Sequence, residues 1–437
     1  MANDTEGQCG YVITETPVAD GEYPPLSDIA PAAFIEECEI YEQFGIRPAT
    51  GKPLNRIMLP PHADLPTLGR RPPTEPEEVR APHSVAGEAF EFPFGPVRQA
   101  GVESLYYGLV TSGEEVVDLY LFTWHKHRGL EWRMGGKTPQ QALFLAERAE
   151  GLSAVAQGWA FAAAAEAATG TRPPDGAQRT RAIALELERL YNHAAAMAAL
   201  CQSTGLAVGQ SAAEIALERL LRLNARAFGH RYLFGVVAVG GVSRSPDHDA
   251  IRQDLPGAYG EFKRAAAALL STNSFVDRLE ATGILTIDQA RRLGLVGPVA
   301  RATGLAADTR LVPGGPYSTA AGTEPAIATA TAGDVLARFT VMLAEAADSV
   351  RLIGEFLDAG LGANTGELRQ ATAEGGGGSG LGWAESPRGE ALSWLQLDDA
   401  GRIARARRRP GTGAASTTPA GPRTCSPTSR SSRPASG

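Results

Sequence analysis

The spacing of apolar and polar positions divides the chain into unlike stretches. Residues 1–30 are rich in Pro, Asp and Gly and read as irregular. Phe34, Ile35, Ile40, Tyr41 and Phe44 fall near one face of a short helix over 31–47, with Gly45 as its stop. Residues 48–93 hold ten prolines and few apolar runs, the pattern of an extended, linking or wrapping segment. Residues 104–122 alternate. Leu105–Thr111 and Val116–Leu121 predict two strands of a hairpin, with Ser112-Gly113-Glu114 as the turn. From residue 138 the period becomes helical and alanine-rich. Helices are predicted at 138–169, 176–203, 210–228, 247–271, 286–293 and 331–359. Thr138 is the expected N-cap of the first, with Pro139 at its first position. Gly375–Gly378 with Ser379 reads as a flexible loop. Residues 410–437 have almost no large apolar side chain and read as disordered. The expected fold is α+β, a small N-terminal β region with a large, mainly helical core.

Charged residues interrupt these helices at Arg148, Glu186, Glu188, Arg189, Glu218 and Arg219. Solvated faces with i,i+4 pairs are the ordinary reading. The other reading is a set of partly buried charges that shape a cavity or relay protons.

Composition narrows the function classes. The chain has 437 residues, 43% of them hydrophobic and 21% charged, enough for two or three domains with a sizeable core. The four cysteines, Cys9, Cys38, Cys201 and Cys425, are isolated. They form no Cys-x-x-Cys pair and fit a reducing compartment. Residues 1–401 carry 33 of the 41 basic side chains and all 49 acidic ones, a net of −16, which argues against nucleic acid as a partner. The most apolar stretches do not match a bilayer span of about 20 residues: 152–169 is broken by Gln157 and Glu166, and 232–242 is short. The acidic start lacks the cationic beginning of a secretory signal. The expectation is a cytoplasmic chain that meets a membrane only through partners. There is no P-loop, no Gly-x-Gly-x-x-Gly that opens a helix after a strand, and no Gly-x-Ser-x-Gly.

Three clusters remain. Gly95–Gly101 fixes a loop that carries the fork-shaped donor Arg98. His125–Glu131 sets two histidines and two cations beside one carboxylate. Glu147–Ser153 puts carboxylates beside a glycine next to an apolar helix, either a pocket wall or an exposed acidic turn.

In this order, the clusters resemble the quinone-pocket core subunit of respiratory complex I and the large subunit of membrane-bound group 4 nickel–iron hydrogenases of the formate hydrogenlyase type. The likeness covers roughly residues 88–405. Gly95-Pro96-Val97 resembles the family's Gly-Pro-x-His loop, and His127-Arg128-Gly129-Leu130-Glu131 its His-Arg-Gly-x-Glu turn. Glu147-Arg148 with Glu166, then Glu186-Leu187-Glu188-Arg189 with Asn192-His193, resemble the following helices. Gly240–Arg244, Gly294–Gly304, Pro316-Tyr317, Gly333-Asp334-Val335, Arg338 and Glu385-x-Pro387-Arg388-Gly389-Glu390 continue the series. Upstream, Glu39–Ile46 and Arg56–Pro60 resemble the end of the small partner subunit of the same complexes. The domains so implied are a partner-like tail at 1–65, a Pro-rich linker at 66–87, the core domain at 88–409, and a tail at 410–437 whose composition is that of a shifted reading frame.

The resemblance also marks departures. Hydrogenases of this kind hold nickel with two Cys-x-x-Cys pairs. The first falls here at Glu150 and Ser153, the following histidine at Gln157, and the second pair beyond residue 405. The quinone-contacting histidine and tyrosine of the complex I branch fall at Arg98 and at Pro139, beside Thr138. These residues and His127 are the implied pocket, and Glu188 and His193 the implied proton relay. The resemblance therefore implies a subunit of an NADH:quinone oxidoreductase-like or hydrogenase-like complex, coupling electron transfer to ion translocation. It lies on the inner face of the cell membrane, beside an iron–sulfur protein subunit and membrane subunits. No cofactor or metal is expected to be held by this chain, a quinone-like or other small molecule is the candidate ligand, and the iron–sulfur clusters belong to partners. The alternative is a non-catalytic structural or assembly subunit.

Overall fold

A computed structural model describes residues 2–3, 9–11, 13–18, 21–49, 54, 57–58, 90–97, 104–122, 125, 127–312, 317, 324–359, 368–371 and 375–411. The backbone groups into two units, one of residues 16–128 and 417–437, the other of residues 1–15 and 129–416. The predicted disorder of 412–437 lies outside the described residues.

In the first unit, helix α1 spans Phe34–Phe44 and ends at Gly45, which takes the left-handed φ of 70° that a helix stop needs. Its buried face is partly acidic. Glu37 accepts the amides of Leu26 (2.6 Å) and Ser27 (3.1 Å). Glu42 accepts those of Ile57 and Met58, both at 2.9 Å. Strands β1 (Phe90–Phe94), β2 (Tyr106–Ser112) and β3 (Glu115–Phe122) form an antiparallel sheet in that order. The hairpin stands as predicted. The end of the supposed linking segment instead adds β1, with Pro93 tolerated because β1 is an edge strand.

The second unit is mainly helical, with one three-stranded sheet and two short two-stranded pairs. Its helices are α2 (Leu130–Met134), α3 (Pro139–Ala146), α4 (Ala154–Thr169), α5 (Asp175–Ser203), α6 (Ala207–Phe228), α7 (His248–Leu270), α8 (Asn273–Leu279), α9 (Ile287–Arg292), α10 (Gly297–Arg301) and α11 (Val335–Ala359). The helix predicted over 138–169 is thus two helices, broken at 147–153. The break is held from outside: Tyr191 and Asn192 of α5 both donate to the Leu152 carbonyl, at 2.8 and 2.7 Å.

Strands β4 (Gly378–Ser386), β5 (Gly389–Leu397) and β6 (Ile403–Arg409) form an antiparallel sheet. The glycine run read as a loop therefore enters β4. The reason is α4, whose alanines are buried almost all round. Gly378, Gly380 and Gly382 share one face of β4. A Cβ on each would stand 2.4, 2.2 and 2.3 Å from the carbonyl oxygens of Ala168, Ala164 and Ala160. Helix and strand meet backbone to backbone, which only glycine at these alternate positions permits. The fold class is α+β, as the pattern predicts. Among the described residues no helix is long and apolar enough to cross a membrane.

Candidate functional site

The break between α3 and α4 gathers three of the predicted site residues. Glu150 and Gln157 are buried and joined: Gln157 Nε2 donates to Glu150 Oε2 at 3.3 Å. Arg388, on the β4–β5 turn, sets Nη1 3.4 Å from Glu150 Oε1. Arg408 of β6 donates to Gln157 Oε1 and, at 3.2 Å, to the Ala146 carbonyl. Ser153 occupies the N-cap position of α4 but makes no side-chain cap. Its Oγ is buried with no hydrogen-bond partner among the described residues.

The α4 cap comes from another helix. Glu188 of α5 accepts the amides of Val155 (2.7 Å) and Ala156 (3.0 Å). Burial pushes its carboxyl up to about 8, the two amides pull it back, and the Glu150 carboxylate raises it further. Glu147, on the same turn, accepts the Gly235 amide at 3.0 Å, and burial lifts it to about 7.

His193 lies on α5 as well, but five residues on it faces α11, with Nε2 2.9 Å from Glu345 Oε2. There begins a buried charge lattice. Arg301 donates to Glu345 (2.7 Å), Glu385 (2.9 Å) and Asp308 (3.4 Å). Arg310 joins Asp308 (2.7 Å) to Glu186 (3.2 Å), which also accepts from Arg189 (3.1 Å), Ser349 and Tyr317. Burial alone would raise Glu186 and Glu345, yet the arginines outweigh it and hold both at about 2. Glu385 goes the other way, raised by burial and by Asp308. Glu186, Glu188 and Arg189 are therefore not a solvated face, whereas Arg219 is exposed.

The other predicted site residues are placed differently. Thr138 and Gln141 form a capping box at the start of α3, with Pro139 at its first position. This eight-residue helix, about 12 Å long, runs between them and the α3–α4 turn. His127 is exposed and belongs to the other unit. Arg98 lies outside the described residues. Arg388 and Arg408 were not singled out by sequence. Arg388 sits in a family-like motif that gives the signal, whereas Arg408 lies in none of the motifs and carries no such signal.

A nickel–iron centre, which the resemblance brings to this corner, needs soft thiolates. Glu150 is a hard carboxylate engaged by an amide and a guanidinium. Cys38 and Cys201 are buried on α1 and α5. Among the described residues no three His, Cys, Asp or Glu side chains converge as metal ligands. These residues do not fit such a centre.

Comparison with known proteins agrees with the fold. A family model for the respiratory-chain NADH dehydrogenase 49 kDa subunit matches residues 215–374. The carbon monoxide-induced hydrogenase of Rhodospirillum rubrum is 30% identical over 320 residues, 72% of this chain and 87% of that protein. Formate hydrogenlyase subunit 5 of Escherichia coli (strain K12) is 28% identical over 416 residues, 90% of this chain and 71% of that protein. A chain of the membrane-bound sulfane sulfur reductase, an archaeal respiratory membrane complex, superposes with a TM-score of 0.68 at 22% identity, covering 76% of this chain and 91% of its own. With 30% identity over 87% of the Rhodospirillum rubrum hydrogenase and the 49 kDa subunit model matching residues 215–374, the chain belongs to the family of the respiratory NADH dehydrogenase 49 kDa subunit and its hydrogenase relatives.

Proposed function

We propose that this chain is the peripheral core subunit of a membrane-associated oxidoreductase complex of the NADH-quinone oxidoreductase and membrane hydrogenase kind. It takes part in electron transfer coupled to ion translocation without a nickel centre of its own. Electrons reach it from iron–sulfur clusters of a partner subunit. Membrane subunits hold it on the inner face of the cell membrane.

The acceptor is a quinone, and Ser153 is the observation that carries this reading. A buried hydroxyl without a partner costs about 1–3 kcal/mol. It is retained beside Glu150 and Gln157, at a position the family gives to a metal ligand. A ligand carbonyl supplies the missing acceptor, and the donor gains strength as the quinone oxygen takes up charge. Glu150, Ser153 and Gln157 face the acceptor. Thr138 and Pro139 set the start of α3. Arg98 and His127 remain separate candidates in the other unit. Glu188 and His193 move protons; the raised carboxyl of Glu188 stays protonated near neutral pH and can deliver one.

The purified complex carrying Ser153→Ala is expected to show a KM for a short-chain quinone raised about tenfold, with Tm equal to the parent's or a few degrees above it, since the lost hydroxyl has no partner among the described residues and its removal relieves that cost. An unchanged KM sinks the quinone assignment at this corner. The second reading, a structural or assembly subunit, is favoured by the engagement of Glu150 and Gln157 with Arg388 and Arg408. It predicts normal assembly and unchanged kinetics in Ser153→Ala, Arg98→Ala and His127→Ala alike.

A further inference from the structure

We infer that the polar side chains at the metal-ligand positions form a metal-independent brace, fastening the last strand of the sheet to the start of α4. The inference rests on the reading that this chain works without nickel. In the resemblance one cysteine pair precedes α4 and the other follows the last strand, so a metal there ties those two ends together. Here the same two ends are tied by charge.

Gln157 is the middle of the tie. Its amide is fully buried and used at both ends, donating to Glu150 and accepting from Arg408. Glu150 passes the link to Arg388 on the β4–β5 turn. Along β6 the fastening continues. The Arg408 amide donates to Glu131 Oε1 at 3.1 Å, Arg407 lies 3.9 Å from Glu131 Oε2, and Arg409 lies 3.7 Å from Glu390. At the other end of β6, Ile403 accepts from the Gly136 amide at 2.8 Å and donates to Lys137 at 2.9 Å. Each of these partly exposed pairs alone is worth little. The buried amide differs, because losing Arg408 leaves its oxygen unsatisfied and losing Gln157 strips a guanidinium and a carboxylate at once.

A double-mutant cycle on the full chain tests this. Gln157→Leu and Arg408→Met are each expected to lower Tm by several degrees, and the double variant by clearly less than the sum. EDTA is expected to leave the parent's Tm unchanged. Hydrogen exchange gives a second readout that does not need the double variant: amides of 403–409 should exchange at least tenfold faster in Gln157→Leu. Additive Tm losses, or unchanged exchange on β6, overturn the brace. A Tm that falls in EDTA, or rises with added nickel, overturns the nickel-free reading beneath it.

Discussion

Arg301→Ala is expected to lower the unfolding free energy by about 3–5 kcal/mol, the loss typical of breaking a buried ion pair from one side. Arg301 ends α10 with no exposure, and three carboxylates converge on it. Two of them keep another cation or donor: Glu345 retains His193, and Asp308 retains Arg310. Glu385 retains only the amide and hydroxyl of Thr309 among these groups, and its carboxyl is already pushed up by burial and by Asp308. The uncompensated charge therefore falls on Glu385. A carboxyl raised in the folded state stabilises at low pH and loses that contribution as pH rises through its folded pKa. The deficit of Arg301→Ala should accordingly widen from acid to neutral pH, and Glu385→Gln added to it should recover part of the loss. Denaturant unfolding of the parent, Arg301→Ala and the double variant at two pH values checks both points. A deficit below 1 kcal/mol would mean that the lattice does not hold the core.

Glu188→Gln should destabilise by about 1–3 kcal/mol, because one amide oxygen cannot serve both α4 donors and a buried N–H loses its acceptor. The pH dependence identifies the cause. Glu188 is raised from 4.5 to about 8. The folded state thus binds the extra proton between those values, and the parent loses this stability as pH climbs across the window. Glutamine does not titrate. The gap between parent and variant should narrow toward pH 8. A constant gap in thermal melts from pH 5 to pH 8 would show that Glu188 titrates as an ordinary carboxyl.

Helical periodicity located α5, α6, α7 and α11 to within a few residues, because each is long and amphipathic enough for its pattern to dominate. It ran α3 and α4 together because the residues that break them act through α5 contacts, which no local pattern records. The β4–β6 sheet was hidden for two local reasons. Glycine is a poor strand former, yet Gly378, Gly380 and Gly382 are in β4 because α4 leaves no room for a Cβ. The close-set arginines of β6 mask a strand, yet Ile403 and Ala406 are buried while Arg407, Arg408 and Arg409 reach acidic or amide partners. Charge burial is one of two readings, and the local sequence does not decide between them. Glu186 and Arg189 look like a surface i,i+3 pair until Arg310, Tyr317 and Ser349 arrive from distant sequence. At the site, the resemblance picked out Glu150, Ser153 and Gln157, but their engagement with Arg388 and Arg408 is a product of the tertiary fold.

The central claim is that carboxylate, hydroxyl and amide groups have taken over the corner where hydrogenase relatives hold nickel. Metal analysis of the native assembly, with the subunits separated and identified, tests it most directly. The account predicts iron and acid-labile sulfide with the partner subunits, and less than about a tenth of an equivalent of nickel on this chain. One equivalent of nickel travelling with this polypeptide would contradict it.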